Sequence, residues 1–501
     1  MTKKVIIIGG GISGLSAGIY AQQCGFETTI LESHNIAGGN CTSWKRKDYL
    51  FEGGMHWLGG SKNGSVMNKL WRHVGALDDN VQVFYSEPFL EFNHQGTPIR
   101  LYRDVDKMEN EWLKTSPVDE KEIKNFCNII RKMKGLSMPI TDLRKVKVTQ
   151  KVRPHISDLF YAIRAFLTIL KYSKISASEY SNRFSHKAIQ EFFLSLSGDN
   201  QMITMLFMTM GFLANGDGGF PNGGSLPFVE RMVNTYNALG GNLLLNTPAE
   251  TILMENYKAI AVITKNKKYD ADAVIIATDT MNIEKLFSFN LHNIKQYLEN
   301  SWFYDMKKKT EPTSATLVSI GINADLSNYP ERPIFKLETP IKLADKNYYY
   351  LYVNQYSHDR TYTPKGKTAI TIQLSGDTYD FWKMAKENGL YYEEKDKLGK
   401  EIINELSKWI PEIENNVEVI DIATPITYEK YCDNWKGSWM TNISNEINFK
   451  AYPSTIKGLK GVYFSGHRMM PPGGLPPALM TARKAVQHLC RDTKTLFVSE
   501  V

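Results

Sequence analysis

Three glycines near the start of the chain have the spacing that most clearly points to chemistry. A β-branched run at residues 5–8 leads into Gly9, Gly11 and Gly14. In a Gly-x-Gly-x-x-Gly turn, the first glycine allows a sharp turn off a strand, the second lets the backbone approach a pyrophosphate, and the third lets a helix pack closely. The pyrophosphate would lie at the positive N-terminal end of that helix.

A carboxylate, Glu32, ends the second apolar strand at residues 28–31. At this place in a β-α-β unit an acid accepts hydrogen bonds from ribose hydroxyls, whereas an arginine would suit a 2′-phosphate. Ile12 and Ser13 begin the intervening helix, and we expect them to contribute to the same nucleotide site. Strand, glycine turn, helix and acid together predict a dinucleotide-binding unit.

A second glycine-rich run follows directly after that acid, and a plain NAD domain has no need of it. Its predicted cofactor-binding residues are Gly38, Gly39, Asn40, Gly54, Met55 and His56. The paired motifs resemble those of FAD-dependent phytoene desaturases, carotenoid isomerases and retinol saturases, within the amine-oxidase-like flavoproteins. The resemblance implies that the Gly-Gly pair lies along the FAD pyrophosphate and that the segment around His56 borders the flavin. Asn40 stands where many members have arginine, so one charged phosphate contact is expected to be absent.

Two later segments resemble parts of the same family. Their predicted cofactor-binding residues are Ala249, Gly466, His467, Gly474 and Leu475. The resemblance implies that Ala249 meets the adenine end of FAD through its backbone. The helix that starts after Gly474 would point its positive N-terminus at the flavin pyrimidine ring and stabilise negative charge there. The family usually has an acid where this chain has His467, so His467 joins His56 as a candidate catalytic residue.

Three separated glycine motifs predict an α/β fold with one Rossmann-like FAD-binding domain assembled from distant parts of the chain. That domain is expected to comprise residues 1–80, 216–285 and 455–495. Residues 81–215 and 286–454 are expected to form an α+β substrate-binding domain with a mixed sheet and, at about 105–215, a helical cap.

Charge and cysteine content argue against several other classes of protein. The 501 residues carry a formal net charge of +7 without long runs of one sign, so no nucleic-acid partner is expected. Five scattered cysteines are typical of a reducing compartment, and no metal site is expected. The apolar start mimics a secretory signal, but the nucleotide motif explains it, so we expect a cytoplasmic protein.

Two apolar stretches of the helical region bear on membrane contact. Residues 158–172 and 202–214 are both shorter than the ~20 apolar residues that a membrane-spanning helix needs. The first carries Arg164, Lys171 and Lys174, and such a helix could lie on a membrane surface. Packing inside the protein as a wall of the substrate cavity is the commoner use of an apolar helix.

The resemblance implies a flavoenzyme that saturates, desaturates or isomerises carbon-carbon double bonds of an apolar isoprenoid- or polyene-like lipid. The spacing Gly54-x-His56-x-x-Gly59 favours the saturase and isomerase branch. An acid such as His56, which ordinarily titrates near pH 6.5, would protonate one alkene carbon while the other receives a hydride. NAD(P)H could dock transiently as electron donor.

Two alternatives to this function stay open from the sequence. An amine-oxidase-like enzyme would place paired aromatic residues opposite the flavin, and the sequence does not locate such a pair. A FAD-binding protein without turnover is compatible with the departures at Asn40 and His467.

Overall fold

The computed structural model describes residues 2–135, 138, 140–152, 156–196, 202–288, 291–443 and 451–499. The strands are β1 (Lys4–Ile8), β2 (Glu27–Leu31), β3 (Ser43–Arg46), β4 (Tyr49–Glu52), β5 (Val83–Phe84), β6 (Leu90–His94), β7 (Thr97–Leu101), β8 (Phe220–Pro221), β9 (Asn242–Leu244), β10 (Ala249–Glu255), β11 (Lys258–Thr264), β12 (Lys268–Asp270), β13 (Ala273–Ile276), β14 (Thr310–Thr313), β15 (Ala315–Ile322), β16 (Pro333–Leu343), β17 (Lys346–Gln355), β18 (Thr368–Ser375), β19 (Val417–Ala423), β20 (Met440–Ile443) and β21 (Val462–Phe464). The helices are α1 (Ile12–Gln23), α2 (Val66–His73), α3 (Val105–Thr115), α4 (Glu120–Met133), α5 (Ile156–Tyr172), α6 (Ala177–Ser181), α7 (Lys187–Ser195), α8 (Ile203–Ala214), α9 (Ser225–Ala238), α10 (Leu291–Glu299), α11 (Trp302–Lys309), α12 (Tyr379–Glu387), α13 (Tyr391–Ser407), α14 (Pro425–Cys432) and α15 (Leu475–Thr493).

A parallel sheet of five strands, in the order β21-β13-β1-β2-β9, forms the centre of the part predicted to bind the dinucleotide. Val5 and Ile7 of β1 face a core shared with α1, α9 and α15. Ile6 and Ile8 face the opposite core, which includes residues of the antiparallel sheet β10-β11-β12. Because β1 is buried on both faces, it reads as a continuous apolar run. The predicted Rossmann-like α/β architecture is confirmed.

A mixed sheet of seven strands, in the order β19-β15-β18-β17-β16-β6-β7, forms the second large layer. Its only parallel pair among the described strands is β16 with β6. Val318 and Ile320 of β15 pack into a core with residues of α12 and α13. Leu317, which alternates with them, faces the opposite side of the sheet, towards a large cavity. The expected mixed sheet is therefore present, and it forms part of the wall of this cavity.

Helices α3 to α8 form the cap over the other side of the cavity. Their core includes a cluster of aromatic side chains, Trp112, Phe126, Tyr180, Phe193 and Phe207, whose rings meet edge-on, tilted or stacked. These packed rings hold α4 and α8 rigidly against each other. Among the described residues, none of the helices combines the length and the apolar character needed to cross a bilayer.

Candidate active site

One cavity of about 1680 Å³ runs from the carboxyl ends of the parallel strands to the helical cap. The sequence-predicted residues on its wall are Gly9, Gly11, Ile12, Ser13, Glu32, Gly38, Gly39, Asn40, Gly54, Met55, His56, Ala249, Gly466, His467, Gly474 and Leu475. They come from segments far apart in the sequence. Only Gly14 of the predicted set is absent from the wall.

The first turn of α1 opens onto this cavity. Gly11 is the N-cap residue of α1, and no side chain caps this helix end. The first N–H groups of α1 therefore receive no side-chain hydrogen bond. The hydroxyl of Ser13 is buried and has no hydrogen-bond partner among the described residues. Uncapped N–H groups and a buried, unpaired hydroxyl at a helix N-terminus suit a bound pyrophosphate.

The two glycine-rich loops lie against each other beside that helix end. Gly38 donates its N–H to Gly10 O at 2.9 Å, and Gly11 forms a parallel bridge with Gly38. Gly38 and Gly39 have φ angles of 123° and 58°, a conformation that favours glycine. A Cβ on Gly11 would meet nothing closer than Gly38 O at 3.7 Å, so the protein itself leaves room there.

Gly14 serves packing and does not line the cavity. A Cβ at this position would lie 1.8 Å from Gly9 O, an impossible contact. The absence of a side chain lets α1 lie directly on the turn that follows β1. That geometry fixes where the N-terminus of α1 points.

Glu32 joins the end of β2 to the glycine turn. Its Oε2 accepts a hydrogen bond from Gly10 N at 2.6 Å, and its Oε1 accepts one from His34 N at 2.8 Å. Oε1 also accepts a hydrogen bond from Ser33 Oγ at 3.2 Å, so Oε2 is the oxygen that can accept a further one. Glu32 also lines the cavity. The arrangement suits ribose hydroxyls.

Asn40 is tied to the substrate side of the cavity. Its Oδ1 accepts a hydrogen bond from Asn434 Nδ2 at 2.6 Å. A neutral amide pair therefore occupies the place where many members of the resembled family carry arginine.

Glu52 organises the loop that carries Gly54, Met55 and His56. Its Oε1 accepts hydrogen bonds from Gly54 N at 2.8 Å and Met55 N at 2.9 Å. Ser225, the first residue of α9, donates its hydroxyl to Oε1 and its N–H to Oε2. The carboxyl is almost fully buried, and burial raises its pKa. Glu52 thus locks this loop to the start of a helix.

His56 lies at the end of that loop, between two large side chains. Arg332 donates from Nη2 to His56 O at 2.6 Å. The ring centroids of His56 and Trp439 are 5.9 Å apart at 62°, an edge-on contact. Trp439 Nε1 is buried without a partner among the described residues. Burial, together with the Arg332 charge, lowers the pKa of His56 to about 4, so the ring is neutral at pH 7 and not near its ordinary titration point.

His467 lies where β21 ends and the chain turns towards α15. Burial, assisted by the neighbouring Arg468 charge, lowers the pKa of His467 to about 4. Its Nδ1 is buried and has no hydrogen-bond partner among the described residues. Gly474 caps α15 without a side-chain hydrogen bond, so the helix N-terminus at Leu475 faces the cavity uncapped. An unpaired ring nitrogen and an open helix end both suit a polar ring system such as a flavin.

Arg468 and Asp279 form a buried, bidentate ion pair on the cavity wall. Nε and Nη2 of Arg468 lie 2.7 and 2.8 Å from the two carboxylate oxygens. Arg468 also donates to Ser438 O at 2.6 Å and Met440 O at 3.0 Å. Burial alone would raise the pKa of Asp279, but the charge and hydrogen bonds of Arg468 outweigh it and hold that pKa below its usual value. The pair ties the parallel sheet to the segment that carries Trp439.

The far end of the cavity, here called the apolar arm, is made by Trp57 and by residues of the helical region. The residues of the apolar arm are Trp57, Met138, Ala162, Ile169, Met205, Met208, Thr209 and Phe212. A Cβ on Gly59 would lie 3.2 Å from Pro476 Cγ and 3.8 Å from Met138 Cε, so the arm adjoins the start of α15. Among these residues of the described chain there is no acidic or basic side chain.

Four of the residues that shape this site were not singled out from the sequence: Glu52, Asp279, Arg332 and Arg468. A weak signal existed for two of them, because Glu52 directly precedes Gly53-Gly54 and Arg468 directly follows His467. Their roles depend on partners far away in the chain, and one sequence does not reveal those partners.

A parallel sheet with a glycine-rich cavity wall at its carboxyl edge is the arrangement typical of dinucleotide-binding proteins. The model of the family "Flavin containing amine oxidoreductase" matches residues 12–490, and the chain belongs to this family. Its cofactor is FAD, and the protein is a FAD-dependent oxidoreductase.

Two distant relatives and one solved structure match nearly the whole chain. A 1-hydroxycarotenoid 3,4-desaturase from Flavobacterium sp. (strain P99-3) is 23% identical, over 96% of this chain and 98% of the relative. An all-trans-retinol 13,14-reductase from Danio rerio is 20% identical, over 93% and 82%. Putrescine oxidase, solved with putrescine bound, superposes with a TM-score of 0.60 at 15% identity, over 98% of this chain and 99% of that one. The structural likeness shows the fold alone, and the resemblance to the carotenoid and retinol enzymes is confirmed.

Proposed function

We propose that the protein saturates, desaturates or isomerises carbon-carbon double bonds of an apolar polyene- or isoprenoid-like lipid. The observation that carries the proposal is the apolar arm, a chamber lined by thioether, aliphatic and aromatic side chains beside the start of α15. Methionine adapts to irregular apolar shapes, which suits a long flexible chain. The names of the carotenoid and retinol relatives support the same substrate class.

In this proposal the dinucleotide is held by residues 1–80, 216–285 and 455–495, and the substrate by residues 81–215 and 286–454. The membership of strands β1, β2, β9, β13 and β21 in one parallel sheet supports this division. The uncapped start of α1 and the carboxylate of Glu32 would hold the pyrophosphate and ribose. The uncapped start of α15 and the unpaired Nδ1 of His467 would hold the ring end. FAD, when bound, supplies the two-electron redox chemistry.

His56 is proposed as the residue that handles a proton next to the substrate. Because its pKa is about 4, the ring carries one proton at pH 7 and serves as a neutral hydrogen-bond donor and relay. The Arg332 hydrogen bond to His56 O fixes the backbone that carries the ring. His467 is proposed to contact the cofactor and to orient it. Both proposed roles rest on the positions of His56 and His467 on the cavity wall.

The lining of the apolar arm favours a polyene over an amine. Its described residues include no carboxylate to pair with an ammonium group. A cationic amine would lose its hydration there without compensation.

The test is an anaerobic visible spectrum of the holoprotein, recorded with NADH or NADPH and then with polyene or enone lipids. Bleaching by a nicotinamide and recovery on adding the lipid supports a saturase; bleaching by the lipid itself supports a desaturase. An isomerase gives product only while the flavin is kept reduced. Bleaching by primary amines and not by any lipid would overturn the proposal, and bound flavin inert to all of them would identify a protein without turnover.

A variant of the apolar arm sharpens this test. Phe212→Asp places an unpaired charge among apolar side chains and should lower turnover of the lipid by at least tenfold while FAD remains bound. Met384→Asp, on an exposed site of α12, is the matched control. Unchanged lipid turnover in Phe212→Asp would remove the apolar arm from the substrate site.

A further inference from the structure

Helix α5 exposes an apolar stripe that the fold itself does not cover. We call Phe160, Ile163, Phe166, Leu167 and Leu170 the α5 stripe; their side chains are 51–60% exposed. No other helix among the described residues carries as many large exposed apolar side chains. Contiguous exposed apolar surface on one element marks an interaction site more often than scattered single residues do.

The helix is firmly attached by its opposite face, so the stripe is not the surface of a loose segment. Ala165, Thr168 and Tyr172 are buried against the cap. A Cβ on Gly135, just after α4, would lie 2.2 Å from the ring of Tyr161. The stripe is therefore presented outward by a packed helix.

The α5 stripe borders the apolar arm. At about 100° per residue, Ala162 and Ile169 lie side by side on the helix surface, next to Phe166 of the stripe. Both Ala162 and Ile169 line the cavity, and Ala162 is exposed to solvent. Apolar surface thus continues from the outside of α5 to the cavity wall without an intervening charge.

Cations border the stripe on its other flank. Arg164 and Lys171 lie on that side of the helix, with the Arg164 guanidinium 5.3 Å from the Phe160 ring, and exposed Lys174 follows the helix end. Residues 160–178 contain no acidic side chain. An apolar stripe with a cationic border matches a bilayer surface with anionic headgroups.

We propose that α5 docks on the surface of an anionic lipid bilayer, with the α5 stripe among the acyl chains and the cations at the headgroups. Docking would place Ala162, which is exposed and lines the cavity, at the membrane, so that an apolar substrate could enter the apolar arm without crossing water. This inference rests on the proposed lipid substrate.

The experiment is flotation of the holoprotein with vesicles of phosphatidylcholine alone and of phosphatidylcholine with 30% phosphatidylglycerol. We expect binding to the anionic vesicles, and weaker binding to the neutral ones. Phe166→Glu/Leu167→Glu should lower partitioning by roughly tenfold or more, since each side chain loses its burial in lipid. Met384→Glu is the matched control, because Met384 is 59% exposed on α12 and does not line the cavity.

Three outcomes would overturn the docking proposal. These are no flotation of the wild type, equal loss in the Met384→Glu control, and a wild-type dimer that the α5 variant dissociates without any change in flotation. Turnover of a detergent-dispersed polyene separates this proposal from the proposed function. We expect the α5 variant to keep that turnover and its FAD, because Phe166 and Leu167 do not line the cavity. Loss of flotation with turnover intact therefore supports docking, and flotation without any lipid turnover counts against the proposed function alone.

Discussion

Substitution of Gly11 should separate cofactor binding from folding. Gly11 has φ −73° and ψ −177°, a backbone conformation open to any residue. A Cβ would meet only Gly38 O at 3.7 Å and neighbouring backbone atoms at 3.9 Å, which are ordinary contacts. The methyl groups of Gly11→Val would therefore extend into the space between the helix end and the second glycine loop. That is the space proposed for the pyrophosphate.

The expected loss of affinity follows from the hydrogen bonds at stake. A charge-assisted hydrogen bond contributes about 1.5–3 kcal/mol. Losing one or two of them weakens FAD binding by roughly tenfold to ten-thousandfold. The fold should change far less, within about 1 kcal/mol, because the position is an unstrained N-cap without a side-chain hydrogen bond.

The assay is the flavin content of the purified variant by its visible spectrum, with the FAD dissociation constant from titration and the thermal midpoint without added FAD. Gly399→Ala is the matched control: it lies within α13, away from the cavity, and its Cβ would sit 3.5 Å from Ile420. Removing a helix glycine there should raise stability slightly and leave FAD content unchanged.

Two results would refute this reasoning. If Gly11→Val binds FAD within threefold of the wild type, the N-terminus of α1 is not the pyrophosphate site. If Gly11→Ala without FAD is as unstable as Gly14→Ala, whose Cβ would clash with Gly9 O, the space seen around Gly11 is not available to a side chain.

Three other substitutions test the remaining parts of the site. Gly14→Ala should destabilise the fold by about 1–3 kcal/mol or more, because its Cβ would lie 1.8 Å from Gly9 O; an unchanged thermal midpoint would be inconsistent with that contact. Arg468→Met should cost about 3–5 kcal/mol by leaving Asp279 buried and unpaired, and Arg468→Met/Asp279→Asn should recover part of it in chemical denaturation; no recovery would argue against the ion pair as the cause. For His56, whose pKa is about 4, we expect kcat/KM without an imidazole ionisation between pH 5.5 and 8; a step near pH 6.5 that disappears in His56→Gln would contradict a neutral buried ring.

The histidines illustrate why the chemistry of the site was only partly predictable. The sequence places His56 and His467 in cofactor motifs, but it assigns each an ordinary imidazole pKa. The structure withdraws both rings from bulk water into the cavity wall and sets Arg332 and Arg468 beside them, which lowers both pKa values to about 4. Arg332 is 276 residues away from His56, so no local pattern could have signalled it.

The sequence by itself determined the β-α-β nucleotide unit at the start of the chain. Its signals lie within one short stretch of sequence, because Gly14 packs on Gly9 and Glu32 bonds Gly10 in the same unit. The contact of Gly9 with Ala277 belongs to the tertiary structure. The mixed sheet and the helical cap also followed from short-range periodicity.

The substrate end of the cavity was decided only by tertiary structure. The apolar arm is assembled from separate segments, and each of them alone reads as an ordinary apolar helix or loop. The same holds for α5, whose sequence fits both a cavity wall and a membrane-facing helix. Because a helix has several faces, its sequence states how much apolar surface it carries, and only packing decides which face is buried, which lines the cavity and which meets the solvent.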